Sequence, residues 1–170
     1  MREKINEEVP SLIRWVIKPI AELGFSEGHP DSQIWIVGLN PKGPENYNDP
    51  REKDNLKNYF SGDIHPYFKD FLTVSKHLYS LLGKPKGAGH TDIVKCCSNN
   101  FPPENINIKE AEKIKENCSV YLRNQILSFK PKIIVCNGTP VCDFFIKAFP
   151  PLRNLNGIYD NDTALGPWSL

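Results

Sequence analysis

Apolar residues along the chain follow two alternating patterns, one typical of helices and one typical of strands. Spacings of three and four, which place apolar side chains on one helix face, occur in residues 5–23, 67–82 and 109–129, and a last helix is predicted at 139–149. Short, almost continuously apolar runs, which indicate strands covered on both faces, occur at 33–38, 91–96 and 132–137. The predicted order is α, β, α, β, α, β, α.

This order of elements predicts the fold class. Helices between short apolar strands imply crossover connections, and therefore a mostly parallel sheet with helices on both faces. We predict an α/β fold, a three-layer α/β/α arrangement around a short central sheet, in a single domain over residues 1–170. Residues 1–30 are expected to supply a helix and a linker, and residues 150–170 a tail with either an incomplete last strand or none.

Composition narrows the class of protein. The 170 residues are 39% hydrophobic and 24% charged, as in a globular domain, and no apolar stretch approaches the ~18 residues of a membrane span. With 21 basic and 20 acidic residues the net charge is +1, so contact with nucleic acid needs a local basic surface. The five cysteines are an odd number, and the first residues hold no signal peptide. We expect reduced thiols, a prokaryotic cytoplasmic location, no membrane association and a monomer.

A carboxamide follows the first predicted strand, in Gly38-Leu-Asn-Pro-Lys-Gly43. Sites in parallel sheets lie beyond the carboxyl ends of the strands. The proline holds Asn40 in an extended conformation, so its amide is rigid and aimed, and the glycines allow a ligand to approach the backbone. The alternative is that Asn-Pro simply begins a turn.

The second predicted strand carries two charged residues, Asp92 and Lys95, whose side chains alternation sends to opposite faces. Either one of them points into a pocket, or Lys95 is exposed and Asp92 bonds a turn. Together with Lys84 and Lys86, Lys95 flanks a glycine-rich turn that could follow a phosphate backbone, although a solvated loop is the more frequent meaning of such a stretch.

The cysteines and histidines form no recognisable metal motif. No two cysteines have C-x-x-C spacing, and the four histidines are scattered without an H-E-x-x-H pattern. We therefore predict no metal site. A thiol-based redox or metal protein that uses Cys96 and Cys97 is a lower-ranking alternative.

Several of these segments together resemble the uracil-DNA glycosylase superfamily. Gly38-Leu39-Asn40-Pro41 with Lys42-Gly43 is similar to the G-[IM]-N-P-G motif of its mismatch-specific branch. Motifs of its iron–sulfur branch are similar to Thr91-Asp-Ile-Val-Lys-Cys96, Cys118-Ser-Val-Tyr-Leu-Arg-Asn-Gln-Ile126 and Lys130-Pro-Lys-Ile-Ile-Val-Cys-Asn-Gly138. The resemblance covers roughly residues 32 to 148.

The resemblance implies a domain that flips uracil or another deaminated base out of DNA and hydrolyses its N-glycosidic bond without a metal or a covalent intermediate. Asn40 would position the attacking water. Asp92 stands where the family has an asparagine that reads the base edge. Phe60, or alternatively Tyr59, would stack on the base. The remaining residues that we predict for the base pocket are Gly38, Leu39, Pro41 and Gly43, and those that we predict for the DNA backbone are Lys84, Lys86, Lys95 and Thr139.

The sequence departs from the family pattern in two places. The iron–sulfur branch uses four cysteines, and only Cys96 and Cys118 match them, so we predict no cluster and no other cofactor. The family's His-Pro-Ser loop has no counterpart after Gly138. Either the chain is truncated before the strand that carries this loop, or this member lacks the group that stabilises the leaving base. The alternative function is therefore a catalytically inactive module that binds nucleic acid on the same fold.

Overall fold

Three short parallel strands form the centre of the domain. The computed structural model describes residues 28–29, 31–41, 60, 64–95, 98–104 and 106–148, and the backbone of two further strands at 158–160 and 163–165. The sheet consists of β1 (Ile34–Gly38), β2 (Ala88–Asp92) and β3 (Ile133–Cys136), with β1 in the middle and parallel to both neighbours. The predicted α/β class is confirmed. The helix predicted at 5–23 lies outside the described residues.

A layer of short helices covers one face of the sheet. This short-helix layer consists of α1 (Pro66–Lys69), α2 (Phe71–Val74) and α3 (Lys76–Ser80). The prediction of one helix over 67–82 is wrong, because the chain leaves the helical conformation at Ser75, where φ is −158° and ψ is 113°. The Ser75 side chain accepts a hydrogen bond from the backbone N–H of Leu78 at 3.1 Å, and this cap begins a new helix.

Two longer helices, α4 (Ile108–Phe129) and α5 (Thr139–Ala148), form a long-helix layer, and both lie where the sequence predicts them. A capping box begins α4. In it, Asn107 Oδ1 accepts from the N–H of Glu110 at 3.0 Å, and the Glu110 carboxylate accepts from the N–H of Asn107 at 3.2 Å. No helix in the described part of the chain is long and apolar enough to cross a membrane.

Alternation along β1 divides the core between the two helical layers. Trp35 and Val37 pack against apolar side chains of α4 and α5. Ile36 faces the other way and packs against Phe68 and Phe71 of the short-helix layer. The sheet therefore lies between two helical layers, as the sequence predicts.

The strand β2 lies earlier in the chain than predicted. A strand is predicted at 91–96, whereas β2 runs from Ala88, opposite Ile34, to Asp92, opposite Gly38. It begins with small residues, which a search for bulky apolar runs misses. One of them, Gly89, lies close to the backbone of Gly28, where a Cβ would be only 2.8 Å from the Cα of Gly89.

The end of the chain contains a second, two-stranded sheet. Its strands β4 (Ile158–Asp160) and β5 (Thr163–Leu165) pair in antiparallel orientation. The sequence predicts no more than an incomplete strand over 150–170, and this hairpin corrects that prediction. Its short strands carry too few residues to produce a clear alternating pattern.

Candidate active site

Polar side chains meet at the carboxyl end of the sheet, on the side of the short-helix layer. In β2, His90 and Asp92 are two residues apart and share a face, and Asp92 pairs with Gly38 at the end of β1. His90 is 5% exposed and Asp92 is 2% exposed. Burial of such groups is costly unless they are paired or hydrogen-bonded, and clusters of them mark functional sites. This end of the sheet is therefore the candidate site.

Gly38 leaves room for these side chains. A Cβ at this position would overlap Oδ1 of Asp92, and it would lie 3.1 Å from Nε2 of His90 and 3.3 Å from the hydroxyl oxygen of Tyr67. Three polar atoms thus surround the position that a Cβ of residue 38 would occupy. The requirement for glycine is steric, because the backbone of Gly38 is not in the left-handed region. Gly38 and Asp92, both assigned to the base pocket by the sequence, are in contact.

Tyr67 connects β2 to the third strand of the sheet. Asn137, which follows β3, donates Nδ2 to the Tyr67 hydroxyl oxygen at 2.6 Å. That oxygen lies 3.4 Å from Nε2 of His90, and the same Nε2 lies 3.7 Å from Oδ1 of Asp92. We call these residues the carboxyl-edge cluster; they are Gly38, Tyr67, His90, Asp92 and Asn137. The cluster joins all three strands to the first short helix.

Sequence reasoning missed three members of this cluster, namely Tyr67, His90 and Asn137. His90 had a usable signal, because alternation places it on the same strand face as Asp92. Asn137 had one as well, because it directly follows a buried strand. Tyr67 had none, since its position depends on how the short helices pack against the sheet.

The amide of Asn40, two residues beyond Gly38, is held in one orientation. Its Nδ2 donates to the carbonyl oxygen of Ser98 at 2.8 Å, to the Ser98 hydroxyl at 3.1 Å and to the carbonyl oxygen of Pro41 at 3.1 Å. Carbonyl oxygens only accept hydrogen bonds, so the NH₂ group must face them and Oδ1 must point away from them. Asn40 is 8% exposed, and its Oδ1 is a fixed acceptor in a nearly buried position.

Phe60 is held near the opposite end of β2. Its ring packs edge-on against Phe68, with the ring centroids 4.9 Å apart. It also covers Gly83, where a Cβ would lie 2.6 Å from the Phe60 Cβ. The N–H of Gly83 donates to the carbonyl of Ala88, the first residue of β2, whereas Asp92 is the last. These contacts place Phe60 toward the amino end of the strand rather than at the carboxyl end.

The other residues predicted to line the pocket are only partly described. Leu39 and Pro41 flank Asn40, and their carbonyl oxygens accept hydrogen bonds from the chain after β2. The Leu39 side chain packs into the core under the long-helix layer. Gly43 and Tyr59 lie outside the described residues.

The residues predicted to contact the DNA backbone occupy different parts of the fold. Lys84 and Lys86 are exposed on the turn before β2, whereas Thr139 is exposed at the start of α5, beyond the carboxyl end of β3. Lys95 is completely buried, and its Nζ donates to Thr91 Oγ1 at 2.7 Å. In this position Lys95 is inside the domain, away from the surface where a phosphate would bind.

The cysteines do not assemble a ligand set for a cluster in the described residues. Cys118 is fully buried on α4, and Cys96 lies outside the described ranges. Burial raises the pKa of the Cys136 thiol to about 12, with the adjacent Cys142 as a smaller cause, and burial also raises the pKa of Cys142. Nowhere in the described ranges do three His, Cys, Asp or Glu side chains gather to hold a metal ion.

Comparison with known proteins identifies the family. Among curated proteins there is no match to this chain. The family model described as the uracil DNA glycosylase superfamily matches residues 25–166, which include all three strands of the central sheet and every described member of the candidate site. The match covers well over half of the sequence. The chain therefore belongs to the uracil DNA glycosylase superfamily.

Proposed function

We propose that this protein is a DNA glycosylase that removes uracil or another deaminated base by hydrolysis of the N-glycosidic bond. Membership of the superfamily supports glycosidic-bond hydrolysis as the reaction class and DNA as the partner. The observation that carries the proposal is the position of Asp92, a nearly buried carboxylate against Gly38 at the carboxyl end of the sheet. A flipped base must be read by polar groups at the bottom of a closed pocket, and this carboxylate is such a group.

Asn40 orients the attacking water in this proposal. Its Nδ2 is engaged by Ser98 and Pro41, so Oδ1 is the acceptor that would bind one hydrogen of the water. An amide is far too weak a base to remove a proton. The reaction would therefore depend on departure of the base ahead of attack, through a cation-like sugar, with hydrogen bonds that stabilise the negative charge on the leaving base.

We propose Tyr67 as the aromatic residue beside the base. Its hydroxyl oxygen would lie within 3.3 Å of a Cβ on Gly38, and its ring contacts His90 edge-on with centroids 5.5 Å apart. Phe60, the stacking residue suggested by the resemblance, is instead packed on Phe68 and Gly83.

For the DNA backbone, Thr139 is the proposed contact nearest the base, because it is exposed beyond the carboxyl end of β3. Lys84 and Lys86 would contact phosphates further from the base. No metal or cluster is part of this proposal, since only Cys96 and Cys118 match the ligand positions of the iron–sulfur branch.

The test is release of bases from short DNA. The protein is incubated with single- and double-stranded oligonucleotides that contain uracil, hypoxanthine or xanthine, and alkali then cleaves the strand at each abasic site. The expected result is cleavage at a deaminated base by the wild type and a loss of roughly a hundredfold or more in Asn40→Ala, comparable to removal of one group that acts on the transition state.

Asn124→Ala is the matched control, because Asn124 is an exposed residue of α4, in the long-helix layer. It should retain wild-type activity. DNA binding that weakens with salt but is accompanied by no abasic product would instead identify an inactive nucleic-acid-binding module. Full activity in Asn40→Ala would remove Asn40 from its role.

A further inference from the structure

The carboxylate of Asp92 can perform only half of the task of reading a deaminated base. Uracil and hypoxanthine both present a ring N–H beside a carbonyl oxygen, so a complete reader needs one acceptor and one donor. A single carboxamide supplies both, whereas an ionised carboxylate accepts hydrogen bonds and donates none. A site built on Asp92 therefore needs a donor from another residue.

His90 is the residue that can supply this donor. It lies two positions before Asp92 on the same face of β2, and its Nε2 is 3.7 Å from Oδ1 of Asp92. Both atoms lie close to the position that a Cβ of Gly38 would occupy. An acceptor and a donor from one strand thus lie side by side, 3.7 Å apart.

Two oxygen atoms of the carboxyl-edge cluster lie near Nε2 of His90. Besides Asp92, it lies 3.4 Å from the hydroxyl oxygen of Tyr67. Both distances exceed the roughly 2.9 Å of a strong N–H···O hydrogen bond. A base oxygen at normal distance would therefore form a better bond than either neighbour. Tyr67 also accepts from Asn137, which holds its oxygen in place.

We propose that Asp92 and His90 together read the base, with Asp92 accepting from the ring N–H and the Nε2–H tautomer of His90 donating to the adjacent carbonyl. This inference rests on the proposed function and makes His90 a specificity-determining residue. It favours bases with N–H beside C=O, such as uracil and hypoxanthine, over cytosine and adenine. Cytosine and adenine are rejected because their ring nitrogen carries no hydrogen and would face the carboxylate.

A double-mutant cycle separates this role from a structural one. The variants are His90→Leu, Asp92→Asn and the two combined, compared with the wild type in single-turnover release of uracil. His90→Leu should slow the wild type by roughly tenfold to a hundredfold, the effect of one lost hydrogen bond in a buried site. In the Asp92→Asn background, where one amide supplies both groups, the same change should alter the rate less than about threefold.

Two further variants sharpen the result. His90→Gln keeps an N–H donor near the position of Nε2 and should recover most of the lost rate, and His77→Leu, at an exposed position of α3, should have no effect. If His90→Leu lowers the rate of base release equally in both backgrounds, with or without a lower melting temperature, the proposed pair is overturned and His90 has a structural role.

Binding keeps the inference testable if the wild type releases no base. Oligonucleotides with one unpaired uracil or cytosine are compared for affinity at fixed salt. The pair predicts that His90→Leu abolishes a preference for uracil when Asp92 is present, and that the same change leaves the preference intact in the Asp92→Asn background. This result would support the pair even though the proposed hydrolysis had failed. Absence of any preference would overturn the pair.

Discussion

The side-chain amide of Asn137 donates to the hydroxyl oxygen of Tyr67 over 2.6 Å, and this bond joins the last strand of the central sheet to the first short helix. The two residues are 70 positions apart in the sequence, so the folded state alone brings them together. Because the Tyr67 oxygen also faces His90, the bond fixes one wall of the candidate site.

Replacement of Tyr67 by phenylalanine should therefore weaken the domain. The change leaves the Asn137 amide without its acceptor, and we expect a loss of about 1 kcal/mol in the free energy of unfolding, measured with urea. Asn137→Ala should cost a similar amount, and the double variant should cost less than the sum of the two. Tyr121→Phe on α4 is the control. Additive losses would show that the bond contributes nothing to stability.

Replacement of Asn40 by aspartate should destabilise the protein, although aspartate is the stronger base. One carboxylate oxygen would face the carbonyl oxygens of Ser98 and Pro41, which now accept hydrogen bonds from Nδ2. Acceptors facing each other in a buried site should cost about 1–3 kcal/mol in the free energy of unfolding near neutral pH. Asn124→Asp, at an exposed position, should change stability little. An unchanged stability of Asn40→Asp would contradict the amide orientation described above.

A methyl group at Gly38 should displace the Asp92 carboxylate. Gly38→Ala is expected to lower the free energy of unfolding by about 1–3 kcal/mol, as overpacking of a buried site does, and to reduce base release. The double variant Gly38→Ala, Asp92→Ala removes the colliding carboxylate and should recover part of the stability but not the activity. If the second change recovers nothing, the steric argument fails.

The partly buried thiol of Cys136 should make stability fall in alkaline solution. Its pKa is raised from 9.0 to about 12 by burial, so above pH 9 the unfolded chain loses this proton while the folded protein keeps it. The stabilising contribution is complete below pH 9 and is lost as the pH rises toward 12. We expect the melting temperature of the wild type to fall more steeply above pH 9 than that of Cys136→Ala. Other titrating groups are common to both proteins, so parallel curves would contradict the burial of this thiol.

The layered fold is predictable from the sequence because its strongest signals are local. The helical spacing at 109–129 and the apolar run at 132–137 depend on short-range periodicity, and both elements are found in place. The strand at Ala88–Asp92 is harder, because it begins with small residues selected for close backbone contact rather than for burial of bulky side chains. The broken helix at Ser75 depends on one side-chain cap.

The candidate site is predictable only where chain position determines geometry. Asn40 and Asp92 follow from the rule that sites lie beyond the carboxyl ends of parallel strands. Phe60 shows the limit of this reasoning. The packing of the short helices decides which aromatic ring reaches the sheet edge, and the sequence does not reveal that packing. Lys95 shows a second limit, since alternation predicts the face on which its side chain lies but not whether that side chain is buried.

The contact between Gly28 and Gly89 has a consequence for how this domain can change over evolutionary time. There, backbone lies directly on backbone, and any larger residue would push the two segments apart. The carboxyl edge, apart from Gly38, is built instead from side chains such as those of His90 and Asp92. New base preferences can therefore arise at that edge while the opposite part of the sheet stays fixed.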